Sequence, residues 1–238
     1  IEAQCRDGIA RGYQVFYLKV GIDAELDEQR LAAVRGIIGP TRKLRIDANQ
    51  SWSPAQAARL LTRWHAAFDL DFAEGPIPHH PVSMMRDLRA RVPVPLCADE
   101  GLRGEDRALD VILARCADVL CLSPYDVGTL RRFQTLALLA DALGQQICKH
   151  TWGELGIYAA AAHHLLLTLP NACEGHQQTA QIMAADVVTS DLPIAAEPNW
   201  GLIEGPGLGV EVDEEKVSVF YDAYQRDGEY RRTRPTTL

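Results

Sequence analysis

The chain has no surplus of positive charge: 24 Lys and Arg stand against 32 Asp and Glu, for a formal net charge of −8. Nucleic acid and anionic membrane both demand a basic face, so neither is an expected partner. No apolar run is long enough to span a bilayer; the longest aliphatic stretch is Leu165 to Leu167 with its neighbours, and no signal peptide is visible. The six cysteines (Cys5, Cys97, Cys116, Cys121, Cys148, Cys173) include no CxxC pair. They read as small buried residues of a reducing cytoplasm, not as a disulfide framework. HExxH is absent, and with it the zinc-protease helix. Glycine and proline are in ordinary supply, and 47% hydrophobic content over 238 residues supports one large core rather than two small ones.

What is present is an interval. Lys19, Asp47, Glu74, Asp99, Ser123, His150 and Glu174 follow one another at steps of 28, 27, 25, 24, 27 and 24 residues, each about one strand plus one helix. Val15 to Val20, Leu44 to Ile46, Leu70 to Ala73, Val94 to Ala98, Val119 to Leu122 and Gln146 to Cys148 are short and mostly apolar, as strands buried on both faces should be. Each ends at or just before one of those side chains. Helical patterns lie between them, with Ser53-Pro54 as N-cap and first-turn proline and Gly144 as a C-terminal stop. Functional residues at the carboxyl ends of successive parallel strands favour a barrel over an open sheet, because only a closed rim makes them converge. One domain over residues 1–238 is expected. Ile1, Cys5 and Ile9 have helical spacing, so the chain opens inside a helix whose preceding strand is missing. Seven strands, ending near Asn171 to Glu174, are counted where a closed barrel of this kind needs eight.

Asp47, Glu74 and Asp99 would line one side of the barrel mouth. Hard oxygen ligands in that number suit Mg²⁺, with Mn²⁺ as the competitor. Glu100 directly follows Asp99 and either could be the third ligand, the even spacing leaning toward Asp99. Asn49 lies two residues beyond Asp47, within reach of substrate or of metal-bound water; Glu174 and His176 follow the last strand and could contact substrate or His150. Lys149 should point to the opposite side of its strand from His150. Glu154 is read as supporting the start of the next helix, His163 and His164 as packing or surface residues, and Arg226, Arg231, Arg232 and Arg234 as a solvated basic tail.

The segments FYLKVG (Phe16 to Gly21), IDANQSW (Ile46 to Trp52), FAEGPI (Phe72 to Ile77), LCADEG (Leu96 to Gly101), KHTWGELG (Lys149 to Gly156) and GPGLGVEVD (Gly205 to Asp213) resemble the enolase superfamily, in its mandelate racemase/muconate lactonizing branch. The resemblance implies an α/β fold, a TIM-type modified (β/α)7β barrel, with its first strand and an N-terminal α+β capping domain expected ahead of Ile1. It implies Mg²⁺ on Asp47, Glu74 and Asp99, with Glu100 as an alternative or supporting group, Lys19 as a base, and His150 as acid or base on the opposite face. A Lys or His base working with Mg²⁺ is that superfamily's known chemistry. A small carboxylate is the implied substrate, and a homo-oligomer the implied assembly.

Two positions depart from the pattern. Relatives carry Lys-x-Lys where this chain has Tyr17 and Lys19, and an Asp or a second Lys where it has Ser123, followed by Pro124, Tyr125 and Asp126. Tyr17 therefore joins Asn49, Glu100, Glu174 and His176 as a candidate substrate contact. His150 without an acidic partner is a poorer base and a serviceable acid. That points to dehydration of a sugar acid or related hydroxy acid, with a racemase, epimerase or cycloisomerase as one alternative and a catalytically idle binding or assembly subunit as another.

Overall fold

The computed structural model describes residues 1–151, 153–178, 183–189 and 201–228. Six strands, β1 (Val15–Lys19), β2 (Lys43–Asp47), β3 (Leu70–Glu74), β4 (Leu96–Ala98), β5 (Val119–Leu122) and β6 (Gln146–Lys149), form one parallel sheet in sequential order. Helices fill the crossovers: α2 (Ala24–Ile38), α3 (Pro54–Phe68), α4 (Val82–Arg89), α5 (Glu105–Ala114), and the one-turn α6 (Pro124–Val127) followed by α7 (Leu130–Ala142). The helix α1 (Glu2–Ala10) precedes the sheet, while α8 (Gly156–Leu166) and α9 (Glu214–Asp227) follow it. The seventh strand expected near Asn171 to Glu174 shrinks to one parallel bridge, Ile147 opposite Ala172, carried by two hydrogen bonds of 2.9 Å. The result is a half-barrel.

Local sequence explains the boundaries. Asp23 caps α2 by accepting from the amides of Glu25 and Leu26, and Ser53 caps α3 with Pro54 in the first turn. Helix α7 stops where Gly144 takes a positive φ of 74°, as the sequence expected. Strand alternation then separates two cores. Leu44, Ile46, Ala73, Ala98, Leu120, Leu122 and Ile147 face the helices and pack with Leu31, Leu61, Trp64 and Phe133. The other parity, Phe72, Cys97, Val119, Cys121 and Cys148, packs with Cys173 and Tyr17 inside the curve of the sheet.

Lys149 obeys the same parity. It leaves the lumen, is fully buried, and pairs with Glu154, which also accepts from Thr151. Glu154 therefore lies in a buried ion pair before α8, not in the supporting role expected of it at the helix start. His163 and His164 contact the carbonyls of Gly201 (2.6 Å) and Leu208 (3.1 Å), so they anchor the later segment to α8. Arg226 is on the exposed α9; Arg231, Arg232 and Arg234 lie outside the described residues.

Trp64 is fully buried and meets Trp52 edge to face at 5.6 Å. Trp64→Ala should cost about 3–5 kcal/mol, whereas Val219→Ala, on the exposed face of α9, should stay within about 0.5 kcal/mol. Urea unfolding of the two variants against the parent chain measures both, and equal costs would contradict the assignment of the core.

Candidate active site

Parity and register build the rim. Tyr17 and Lys19 are two residues apart on β1, so both point inward, and register places Lys19 beside Asp47 and Asp47 beside Glu74. Asp99 follows β4, Ser123 follows β5 and His150 follows β6. Asp47, Glu74, Asp99 and His150 are all buried, whereas the side chain of Lys19 is 69% exposed.

The carboxylates are met by groups of the same chain. Lys19 Nζ pairs with Asp47 Oδ2 and donates to Asn49 Oδ1 at 3.2 Å; Asp47 Oδ1 accepts from the Asn49 amide at 2.8 Å. Tyr17 donates its hydroxyl to Glu74, and Gln177 Nε2 lies 3.1 Å from Glu74 Oε2. Glu100 accepts from Asn49 Nδ2 at 3.2 Å and contacts His79 Nε2 at 3.1 Å. A Cβ on Gly101 would come within 2.7 Å of the His79 side chain, so glycine is needed there for the pair to form. Asn49 and Gln50 both have positive φ, 41° and 64°, a turn that swings the Asn49 side chain back over Asp47.

His150 is held between two acids. Its Nε2 is 3.4 Å from Asp99 Oδ1 and its Nδ1 is 3.6 Å from Asp126 Oδ2. Ser123 Oγ donates to Asp126 Oδ2 at 2.5 Å and accepts from the Asp126 amide at 3.2 Å. The expectation that His150 lacks an acidic partner is corrected here: the carboxylate comes from three residues further on. Ser123-Pro124-Tyr125-Asp126 is a capping box, whose N-cap serine and N3 acid fold back on each other. The signal lay in the sequence.

The electrostatics follow from crowding. Burial, then the charges of Asp47 and Asp99, push Glu74 well above the ordinary carboxylate range. Burial likewise lifts Asp99 to about 6, with Glu100 and Asp47 adding to the rise against the pull of His150. Burial works against Glu100 as well, but the hydrogen bonds from His79 and Asn49 outweigh it and bring its pKa to about 2. Lys19 loses to burial but gains more from Asp47, so its pKa stands above the ordinary lysine value. Buried carboxylates of like charge facing one rim are the donor set a hard divalent cation relieves. Asp47, Glu74 and Asp99 do not, however, form a group whose ligand atoms all lie within 4.8 Å of one another; among the described residues the groups that do are Glu74 with Cys97 and Cys121, and Cys148 with Cys173 and His176.

Glu174 and His176 do not join this cluster. The stagger of the strands leaves Glu174 level with the start of β2, where Oε2 meets Lys43 Nζ at 3.3 Å. His176 turns to the amide of Lys149, accepting at Nδ1 across 3.0 Å. Gln177, His79 and Asp126 are the site residues that sequence reasoning passed over. Only Asp126 carried a readable pattern; Gln177 and His79 arrive through loop paths.

The family profile described as Enolase C-terminal domain-like matches residues 1–216. The chain belongs to the enolase superfamily. Within it the match is to the C-terminal domain of the mandelate racemase/muconate lactonizing family. Muconate cycloisomerase 1-1 of Acinetobacter lwoffii is 30% identical over 219 residues, covering 92% of this chain and 56% of its own length. N-succinyl-L-Arg/Lys racemase of Bacillus cereus is 25% identical, covering 90% of this chain and 58% of the racemase. Muconate lactonizing enzyme from Pseudomonas putida superposes with a TM-score of 0.83 at 26% identity, over 92% of this chain and 62% of that one. This enolase-superfamily chain thus spans a little over half the length of the curated relatives it matches. No helix among its described residues is long and apolar enough to cross a membrane.

The raised Asp99 pKa has a thermodynamic sign. A carboxyl whose folded pKa exceeds its unfolded value holds its proton more tightly in the fold, so it destabilises as pH rises from about 4 through about 6. In chelator, Asp99→Asn should therefore raise stability at pH 7.5 by up to about 3 kcal/mol, with the gain vanishing toward pH 4. Urea midpoints at the two pH values test this; a gain independent of pH would contradict it.

Proposed function

We propose that this barrel removes the proton α to a carboxylate on a small anionic substrate and returns a proton to complete an isomerisation: racemisation, epimerisation or cycloisomerisation. The observation that carries the reading is the Ser123–Asp126–His150 chain, which gives the histidine a carboxylate partner across the rim from Lys19. The isomerases among the relatives support the same choice. A histidine with no such partner would favour dehydration, and His150 has one. Dehydration of a sugar acid remains the neighbouring reaction, since the same two groups would remove an α-proton and protonate a departing hydroxyl.

Asp47, Glu74 and Asp99 are the residues that would hold Mg²⁺. Asp99 is preferred to Glu100 because both Glu100 oxygens already accept from Asn49 and His79. Bound there, the ion supplies positive charge where the substrate carboxylate becomes doubly negative, worth several kcal/mol. The chain's own residues do the rest. Lys19, paired with Asp47, is held protonated; it becomes a base only when Asp47 is otherwise neutralised and the ammonium gives up its proton. His150 presents Nε2 to the rim while the Asp126 carboxylate faces Nδ1 across 3.6 Å, a negative charge placed to orient the ring so that Nε2 can take up or deliver a proton on the opposite face. Tyr17, in place of a second lysine, gives Glu74 a neutral donor and leaves the net charge of the site more negative.

The test is proton NMR in D₂O with the full gene product, Mg²⁺ and a panel of α-hydroxy, N-acylamino and sugar acids. Deuterium entering the α-position with the carbon skeleton retained supports isomerisation; a 2-keto-3-deoxy product would assign dehydration instead. Lys19→Met and Asp126→Asn should each slow exchange by about 10²–10⁴-fold. Full exchange in Lys19→Met would remove lysine from the chemistry, and full exchange in Asp126→Asn would remove the histidine partner.

A further inference from the structure

Below the carboxylate rim the lumen is lined by thiols. Cys97, Cys121, Cys148 and Cys173 come from β4, β5, β6 and the segment after Ala172, and they line one side of the lumen. All four are free and buried. The rim chemistry uses none of them.

We propose that Cys148 and Cys173, with His176 beside them, form a site for one soft, thiophilic metal ion of the Cu(I) type. Their ligand atoms lie within 4.8 Å of one another, a separation that two metal–sulfur bonds of about 2.3 Å span. Backbone geometry makes the cluster. The Ile147–Ala172 bridge sets Cys148 and Cys173 side by side, and Gly175, at φ 76°, turns the chain so that His176 comes back to β6. A Cβ on Gly175 would meet Val15 at 2.7 Å, so the turn admits glycine alone. Cys173 and His176 are thereby spaced as Cys-x-x-His.

The surroundings select the ion. Arg45 directs Nη1 at Cys148 Sγ (4.0 Å) and Nη2 at Cys173 Sγ (3.9 Å), the arrangement that supports thiolates while opposing a second positive charge. Contacts between neighbouring thiols, together with burial, hold both sulfurs protonated; hard ions do not displace such protons, but soft ones do. Burial, then Arg45 and Lys149, lower the pKa of His176 to about 4; the neutral ring, with Nδ1 accepting from the Lys149 amide, packs beside the two sulfurs and adds no charge to the site. Binding breaks two S–H bonds, forms two metal–sulfur bonds and sends two protons to solvent, with no change of oxidation state. Arg45, Gly175 and His176 also line a cleft of about 630 Å³ that Lys19 and Tyr17 border, which gives an ion a way in.

Anaerobic titration of the full chain with Cu(I) against bicinchoninate tests the site. The parent chain should take one equivalent from the chelator. Cys148→Ala and Cys173→Ala should each lose at least about 10- to 100-fold in affinity, while Cys116→Ala, outside the lumen, and Asp47→Asn, at the rim, should keep it. No uptake by the parent chain, unchanged uptake by Cys173→Ala, or loss in Asp47→Asn would overturn the proposal. Should the cysteine variants not fold, X-ray absorption on the copper-loaded parent decides: two sulfur scatterers support the site, and a shell of only nitrogen and oxygen overturns it. The inference does not rest on the proposed reaction, because neither readout involves turnover.

Discussion

Mutual repulsion among Asp47, Glu74 and Asp99 is the constraint on which this molecule turns. Three buried carboxylates cannot all stay charged without partners, and the chain answers each differently: an ammonium for Asp47, a phenol and an amide for Glu74, an imidazole for Asp99. The same pairings hold the four side chains of the rim in fixed positions relative to one another.

The imidazole takes its second carboxylate neighbour from beyond the strand end. Ser123 follows β5, and the one-turn helix that Ser123 caps carries Asp126 back to within 3.6 Å of His150. Ser123 supports the carboxylate that Asp126 supplies. On the other side of β6, Lys149 and Glu154 form a separate buried pair, so Lys149 at the end of the strand and His150 just after it serve unrelated networks on opposite faces of the sheet.

Alternation also explains why the molecule has two cores of different character. The outer layer is aliphatic and aromatic, filled by helices from the crossovers. The inner layer is small and rich in sulfur, with Arg45 lying 4.3 Å above the Phe72 ring and tying β2 to the carbonyls of Glu174 and Gly175. Small side chains suit the narrow interior of a curved parallel sheet, and four of them there are free thiols.

Much of this was legible in the chain itself. Apolar runs at a βα interval placed the strands, since strands buried on both faces leave no other pattern, and parity sent Lys149 away from His150 while leading Lys19, Asp47, Glu74 and Asp99 to one rim. The capping signal at Ser123 to Asp126 is local, so the sequence carries it. What the tertiary structure alone decided depends on distances between segments remote in sequence. Strand stagger took Glu174 down to Lys43, the turn at Gly175 brought His176 to the thiols, and loop paths delivered Gln177 to Glu74 and His79 to Glu100. Periodicity fixes which way a side chain points along its own strand; only the packed sheet, with its shear and curvature, fixes which remote side chain it meets.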